Sequence, residues 1–237
     1  MTKLESFNIK HFGGQNKKVV FFFAGMGSRA WLYYLPIRYM VSNGFHVIVY
    51  DFDPNVMRKG DADSFLQLAA NVSRSVATYI DKFSKSGVGY FASFGVSMGT
   101  LFAIKVTGEN SKIDRVVINM TYGSIAENVW TWKVVGRTKR TAIKQGYTMQ
   151  TLDEKLSPIS PIPNAKYLKS KKVLLYLSTK DKILLFEQSK QFKEALNSHD
   201  VRYWYIQNDT GGHFRAGEYN MRKRSIWLNF LERGIVS

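Results

Sequence analysis

The chain has 237 residues, 45% hydrophobic and 14% aromatic, which supplies enough apolar material for one large domain or two small ones. It has no cysteine, which excludes disulfides, thiolate metal sites and a cysteine nucleophile. The net charge of +16 is spread along the chain without a block of five or six like charges, so we expect a basic surface rather than a disordered basic tail.

This charge favours partners that are negatively charged: an anionic membrane surface, an acidic carrier protein or nucleic acid. Nucleic acid is disfavoured, because no recognition helix, zinc finger or aromatic RNA-binding motif is present. A solvated basic surface without a functional role is the simpler explanation. No apolar run approaches the ~18 residues of a membrane span. The first residues, MTKLESFNIKHFGG, are charged where a secretory signal is apolar, so we expect a cytoplasmic protein.

Apolar runs alternate with helical periodicity along the chain. The runs predict strands at residues 19–24, 45–50, 88–94, 115–120, 173–177 and 201–206. Helical spacing predicts helices that end near residues 42 and 106, and others at 61–83, 186–197 and 218–233. Strands separated by helices predict an α/β fold, with a mainly parallel sheet covered by helices on both faces.

Residues 123–166 break this rhythm. They have no strand run, and they contain two tryptophans, a basic middle and the proline cluster SPISPIP. We therefore predict a helical cap inserted at 123–166, with residues 1–122 and 167–237 forming the core.

The strand at 88–94 leads into Gly95-Val96-Ser97-Met98-Gly99 and then a helix. The pattern G-x-S-x-G arises by chance in roughly 8% of chains of this length, so its context decides. Parallel sheets place their chemistry at the carboxyl ends of strands, where a sharp turn flanked by glycines can expose a serine hydroxyl. The following helix N-terminus favours developing negative charge. We predict that Ser97 is a nucleophile.

A serine nucleophile needs a base, usually a histidine that a carboxylate orients. His213 lies in NDTGGHF after the last strand, where the base is needed, whereas His46 lies in an apolar strand and is expected to pack in the core. Asp181 follows the strand at 173–177 and comes between Ser97 and His213, the expected place of the acid. Asp209 is nearer to His213 in sequence and is expected to cap the same loop.

The reaction also needs backbone N–H donors for the developing oxyanion. One is expected from Met98, next to the nucleophile. The other is expected from Met26 in the loop AGMGS after the first strand, where small residues let the backbone approach.

With these residues the chain resembles the α/β-hydrolases across nearly its whole length. Its turn Gly95-Val96-Ser97-Met98-Gly99, here called the elbow, resembles that of the monoacylglycerol lipase, lysophospholipase and small carboxylesterase branch. In this branch a lid is inserted after the sixth strand of the fold. Three positions depart from the family pattern: His-Gly is replaced by Ala24-Gly25, the glycine after the elbow is Thr100, and no proline trails Asp181. The resemblance implies an α/β-hydrolase fold and a serine hydrolase that uses neither a cofactor nor a metal.

A second interpretation concerns the same N-terminal region. Gly25-x-Gly27-x-x-Ala30 follows a strand and opens a helix, and Asp51 ends the next strand, as in a dinucleotide-binding unit. Tyr167-x-x-x-Lys171 has the spacing of a short-chain dehydrogenase pair, but it falls in a lysine-rich connection. This alternative leaves the elbow and the GGH loop unexplained, so we favour the hydrolase.

The predicted activity is cleavage of a small-molecule carboxylic ester, as by a carboxylesterase or lipase, through an acyl-enzyme on Ser97. An acyl thioesterase or acyltransferase with the same triad stays open. Candidate substrate contacts in the insertion are Trp130, Trp132, Arg137 and Arg140. Aromatics beside cations suit an acyl chain with an anionic head, although the aromatics packing on the body is an equal alternative. If the segment is one helix, the cations form a stripe on one face: Lys133, Arg137, Arg140 and Lys144.

Overall fold

The computed structural model describes residues 7–25, 27–28, 30–53, 61–131 and 136–236. In this part of the chain seven strands form one sheet in the order β1-β3-β2-β4-β5-β6-β7. The strands are β1 Phe7–Phe12, β2 Lys18–Phe23, β3 Phe45–Phe52, β4 Tyr90–Val96, β5 Ile113–Asn119, β6 Lys172–Ser178 and β7 Tyr203–Asn208. Strands β2 to β7 run parallel, and β1 pairs antiparallel with β3 at one edge. The predicted mainly parallel sheet is confirmed.

The helices connect consecutive strands or follow the last one. They are α1 Tyr34–Ser42, α2 Ala62–Lys85, α3 Gly99–Glu109, α4 Ile125–Thr131, α5 Gly136–Lys144, α6 Met149–Leu156, α7 Pro161–Asn164, α8 Phe186–Ser198, α9 His213–Arg222 and α10 Arg224–Arg233, with 3-10 turns at Ala30–Tyr33 and Ala165–Leu168. Among the described residues, no helix is long and apolar enough to cross a membrane.

Both faces of the sheet are buried, as its continuous apolar runs predict. Along β2, Val19, Phe21 and Phe23 point into one layer, and Val20 and Phe22 point into the other. The first layer is completed mainly by α2, α3 and α8 and by helices of the 123–166 segment. The second layer is completed by α1 and α10. This double packing fixes the strand ends on which the candidate site is built.

Each of the six predicted strands is observed, with ends that differ by no more than two residues. Two elements differ from the expectation. Strand β1, FNIKHF, was not predicted, because an edge strand exposes one side and carries polar residues there. The single helix predicted at 218–233 is two helices, α9 and α10, which meet at Lys223 with φ −74° and ψ 55°.

The segment 123–166 is helical where it is described, and α4 packs on α6. Its role as a cap stays a prediction. The stripe of four cations stays a prediction, because residues 132–135 lie outside the described residues; its other three members, Arg137, Arg140 and Lys144, lie in α5. Arg137 and Arg140 are exposed on α5, whereas Lys133 lies outside the described residues.

Candidate active site

Ser97 occupies the turn between β4 and α3 and has a left-handed backbone, with φ 53°. For a residue with a side chain this conformation costs on the order of 1 to 3 kcal/mol, so the surroundings must hold it in place. The Ser97 N–H donates to the carbonyl of Asn119 at 2.9 Å, and the Ser97 carbonyl accepts the N–H of Thr100 at 2.9 Å. The turn is the sharp elbow that the sequence predicts.

The two glycines of the motif are explained by close backbone approach. A Cβ on Gly95 would lie 2.5 Å from the Cα of Thr100. A Cβ on Gly99 would lie 2.1 Å from the carbonyl oxygen of Phe23 in β2. Since neither neighbour is a flexible side chain, only glycine lets α3 begin this close to the sheet.

The structure brings the three predicted catalytic residues into one hydrogen-bonded row. His213 Nε2 lies 2.8 Å from Ser97 Oγ, and His213 Nδ1 lies 2.7 Å from Asp181 Oδ2. His213 and Asp181 are 7% and 5% exposed. A neutral imidazole carries one ring hydrogen. Donation from Nδ1 to the carboxylate leaves Nε2 free to accept the serine proton.

Asp181 is oriented by the backbone of its own loop. Its Oδ1 accepts the N–H groups of Ile183 at 2.8 Å and Leu184 at 3.1 Å, which leaves Oδ2 for His213. Asp209 does not cap the His213 loop, contrary to expectation. Its exposed carboxylate lies 3.6 Å from Lys180 Nζ, and the side-chain oxygen of Asn208 accepts the Thr210 N–H instead.

The expectation that His46 packs in the core is confirmed. It is 4% exposed, and its Nε2 lies 3.1 Å from His11 Nδ1, while His11 Nε2 lies 3.0 Å from the Tyr79 hydroxyl. Burial lowers the pKa of both imidazoles. The charge of Lys82 further lowers the pKa of His11, and His11 further lowers that of His46. This cluster joins β1, β3 and α2.

Of the two predicted oxyanion donors, Met98 is buried directly after the nucleophile, and Met26 lies outside the described residues. The turn before Met26 abuts the elbow, since a Cβ on Gly25 would lie 3.4 Å from the Cβ of Ser97. Tyr33 supports this turn, with its hydroxyl 3.2 Å from the Gly25 N–H and 2.9 Å from Ser28 Oγ. Sequence reasoning missed Tyr33, which has no local signal.

Tyr122 was also missed. Its side chain is buried, and burial raises the pKa of its phenol, while an interaction with Ser97 lowers that pKa by a smaller amount. Tyr122 follows the carboxyl end of β5, in the stretch NMTYG. Its position beside the elbow strand was the available signal.

The candidate substrate contacts of the insertion divide into two groups. Trp130 is half-buried against the core beneath it, and Lys139 Nζ lies 5.6 Å from the centre of its ring. This packing favours the alternative that the aromatics cover the body. Arg137 and Arg140 are exposed, and Trp132 lies outside the described residues. Their contact with a substrate stays a prediction.

The residues that the dinucleotide-binding interpretation requires are engaged elsewhere. The buried Asp51 carboxylate pairs with Lys10 Nζ at 3.2 Å. Lys171 Nζ donates to the carbonyls of Asn110 and Ile113, both at 2.8 Å, while Tyr167 is exposed. The glycine turn faces the Ser97 elbow.

Solved structures share this fold over nearly the whole chain. An acylaminoacyl peptidase from Pyrococcus horikoshii superposes with a TM-score of 0.73 at 14% identity, covering 99% of this chain and 43% of that protein. An esterase from Pyrococcus furiosus gives a TM-score of 0.63 at 19% identity, covering 96% and 92%. Acetyl xylan esterase 1 from a Thermoanaerobacterium species gives 0.63 at 13% identity, covering 88% and 74%. At such identities the likeness establishes the fold alone.

The chain spans less than half the length of the acylaminoacyl peptidase that it matches. A search of the curated proteins found no match.

The sequence model of the prolyl oligopeptidase family matches residues 91–235, which is more than half of the chain and includes Ser97, Asp181 and His213. The predicted α/β-hydrolase class is thereby confirmed. The predicted lipase and carboxylesterase branch stays a prediction. The chain belongs to the prolyl oligopeptidase family and has the α/β-hydrolase fold.

Proposed function

We propose that the chain cleaves acyl esters by nucleophilic catalysis on Ser97, with His213 as the base and Asp181 as the group that orients it. The observation that carries this proposal is the row Ser97 Oγ–His213 Nε2 at 2.8 Å and His213 Nδ1–Asp181 Oδ2 at 2.7 Å. These are hydrogen-bonding distances between a nucleophile, a base and a carboxylate in the order that acyl transfer requires.

The reaction then has two halves. Ser97 Oγ attacks the carbonyl carbon while its proton passes to His213 Nε2, and the tetrahedral intermediate collapses when His213 returns that proton to the leaving oxygen. Water enters next, gives a proton to His213 and attacks the acyl-enzyme, and the same collapse frees Ser97. Asp181 stays ionised throughout and stabilises the charged imidazolium.

The oxyanion would be held by backbone N–H groups. Met98 is the first residue after the nucleophile, at the N-terminus of α3, where the helix dipole favours negative charge. We assign the second donor to Met26, because the turn leading to it abuts Ser97.

Exposed apolar side chains around the strand ends support an acyl group as the substrate. They lie in the connections that follow β2, β6 and β7: Trp31, Leu32, Tyr34, Leu35, Leu185 and Phe214. Phe214 is 78% exposed directly beside His213, and Trp31 is 69% exposed in the turn after the Gly25 loop. Large exposed apolar side chains near a site indicate a surface that receives apolar material.

The charge of the chain supports an anionic partner for this surface. With a net charge of +16, and with Arg137 and Arg140 exposed on α5, the protein attracts an anionic membrane or an acidic acyl carrier in the cytoplasm. Thioester hydrolysis and acyl transfer use the same steps. Membership of the prolyl oligopeptidase family supports amide hydrolysis as a second candidate.

Matched substrates distinguish these reactions. We would compare p-nitrophenyl esters from acetyl to decanoyl with peptide p-nitroanilides, using the wild type, Ser97→Ala and the surface control Ser42→Ala. We expect ester turnover to rise with chain length and to vanish only in Ser97→Ala. Turnover confined to the anilides would overturn the ester proposal and favour the peptidase.

A further inference from the structure

Three buried asparagines occupy positions beside the triad for which the hydrolytic steps give no role. Asn119 ends β5, Asn208 ends β7 and Asn220 lies in α9, and they are 1%, 9% and 1% exposed. A buried amide is costly unless its hydrogen-bonding atoms find partners. Their partners therefore indicate what the three residues hold together.

The three amides bond to one another in a row, here called the amide chain. Asn220 Nδ2 donates to Asn119 Oδ1 at 2.8 Å, and Asn208 Nδ2 donates to Asn220 Oδ1 at 2.8 Å. The remaining groups reach the backbone: Asn119 Nδ2 donates to the Gly217 carbonyl at 3.1 Å, and Asn208 Oδ1 accepts the Thr210 N–H at 2.9 Å.

The amide chain ends on the segments that carry the triad. The Asn119 carbonyl accepts the N–H of Ser97 at 2.9 Å. At the other end, Thr210 lies in the loop that leads to His213, and its carbonyl accepts the Ser178 hydroxyl at 3.0 Å, just before Asp181.

The helix spacing adds a direct link. His213 is the first residue of α9, and Gly217 and Asn220 follow it by four and seven residues, which places all three on one face of the helix. This face is tied to Asn119 through both later positions. Hydrogen bonds restrict distance and angle, whereas apolar packing is non-directional. These bonds therefore fix the rotation of α9 about its axis and its position along that axis.

We propose that Asn119, Asn208 and Asn220 are positioning residues that hold the His213 ring at its hydrogen-bonding distance from Ser97. The inference rests on the proposed function of that site. They act through the placement of α9 and the loop before it, and they touch no reacting atom. A misplacement of about 1 Å in a catalytic group can cost on the order of a hundredfold in rate.

The test compares Asn220→Ala with Asn164→Ala. Asn164 is a matched control, because it is a buried asparagine whose Nδ2 bonds only to backbone of its own segment, at Ser157 and Ser160. We expect Asn220→Ala to lower kcat about ten- to a hundredfold with KM nearly unchanged. The double variant Asn119→Ala/Asn220→Ala should lose more than Asn220→Ala alone, because it also removes the bond from Asn119 Nδ2 to the Gly217 carbonyl. Asn164→Ala should keep the wild-type kcat.

A spectroscopic readout separates this inference from the proposed function. The proton that His213 Nδ1 donates to Asp181 should give a downfield NMR signal, and Asn220→Ala should shift or broaden it whether or not a substrate is turned over. Asn208→Ala, at the end of the amide chain, serves if Asn220→Ala does not fold. An unchanged His213 signal and kcat in a folded variant, or equal losses in Asn164→Ala, would overturn the inference. Inactivity of the wild type towards all substrates would overturn the proposed function alone.

Discussion

Gly99→Ala tests how the sheet supports the nucleophile. The added Cβ would lie 2.1 Å from the carbonyl oxygen of Phe23, 2.6 Å from its carbonyl carbon and 2.7 Å from the carbonyl oxygen of Ala24. All three atoms are backbone of β2 and its end, so the start of α3 must move about 1 Å outward to restore ordinary contact.

This displacement has two consequences of calculable size. Overpacking of this kind costs about 1 to 3 kcal/mol, which lowers Tm by roughly 2 to 12 °C for a domain of this length. Ser97 lies two residues before Gly99, so the same shift moves its hydroxyl away from His213 and should cut the rate on the order of a hundredfold.

The assay measures thermal unfolding and ester turnover of Gly99→Ala beside Gly89→Ala. Gly89 precedes β4, and a Cβ added there meets no described atom within 4 Å, so this variant should match the wild type in both measurements. Wild-type Tm and turnover in Gly99→Ala would refute the argument that close backbone approach dictates the motif glycine.

Four further predictions address the acid, the phenol, the histidine pair and the surface charge. Asp181→Asn should cut turnover on the order of 10⁴-fold, whereas Asp209→Asn, at an exposed ion pair, should cost far less; the reverse would mean that the acid is misplaced. Tyr122→Phe should lower kcat about ten- to a hundredfold, because it removes the buried hydroxyl that interacts with Ser97, and an unchanged kcat would limit Tyr122 to packing. Because burial lowers the pKa of His46 below 6.5, the unfolded chain binds the proton first, and stability should fall as the pH drops below that value. A Tm series from about pH 7 to pH 5 should therefore be flatter in His46→Gln, and equal slopes would contradict this. Turnover of anionic lipid or carrier-bound acyl substrates should fall as salt rises, because a Debye length of about 8 Å screens the attraction. Replacing both arginines of α5 by glutamine should lower turnover of the anionic substrates at low salt in the same way. If turnover of a small neutral ester responded equally to salt, these charges would only be a solvated surface without a role in substrate binding.

Features with a local signal could be predicted from the sequence. The parallel strands are continuous apolar runs. Ser97 is indicated by the glycines that flank it at the end of a strand. His213 and Asp181 follow from chain order together with strand ends. Each of these residues lies at the sequence position where the reaction requires a nucleophile, a base or an acid. The structure brings the three side chains within hydrogen-bonding distance.

Features that depend on tertiary contacts could not be predicted. Tyr33, Tyr122 and Asn220 carry no motif, and their placement beside the site depends on which elements pack together. Strand β1 was missed because it lies at the edge of the sheet and carries polar residues on its exposed side, so it has no continuous apolar run. The predicted stripe of cations stays a prediction, because Lys133 lies outside the described residues.

The most direct test of the account is to map the serine that a fluorophosphonate probe labels. Peptide mass mapping of the labelled wild type should find the phosphonate on Ser97. His213→Ala should slow that labelling on the order of 10⁴-fold or more, because the hydroxyl then has no base. Labelling at another serine, or labelling of Ser97 at an unchanged rate in His213→Ala, would contradict the assignment of Ser97 and His213 as nucleophile and base.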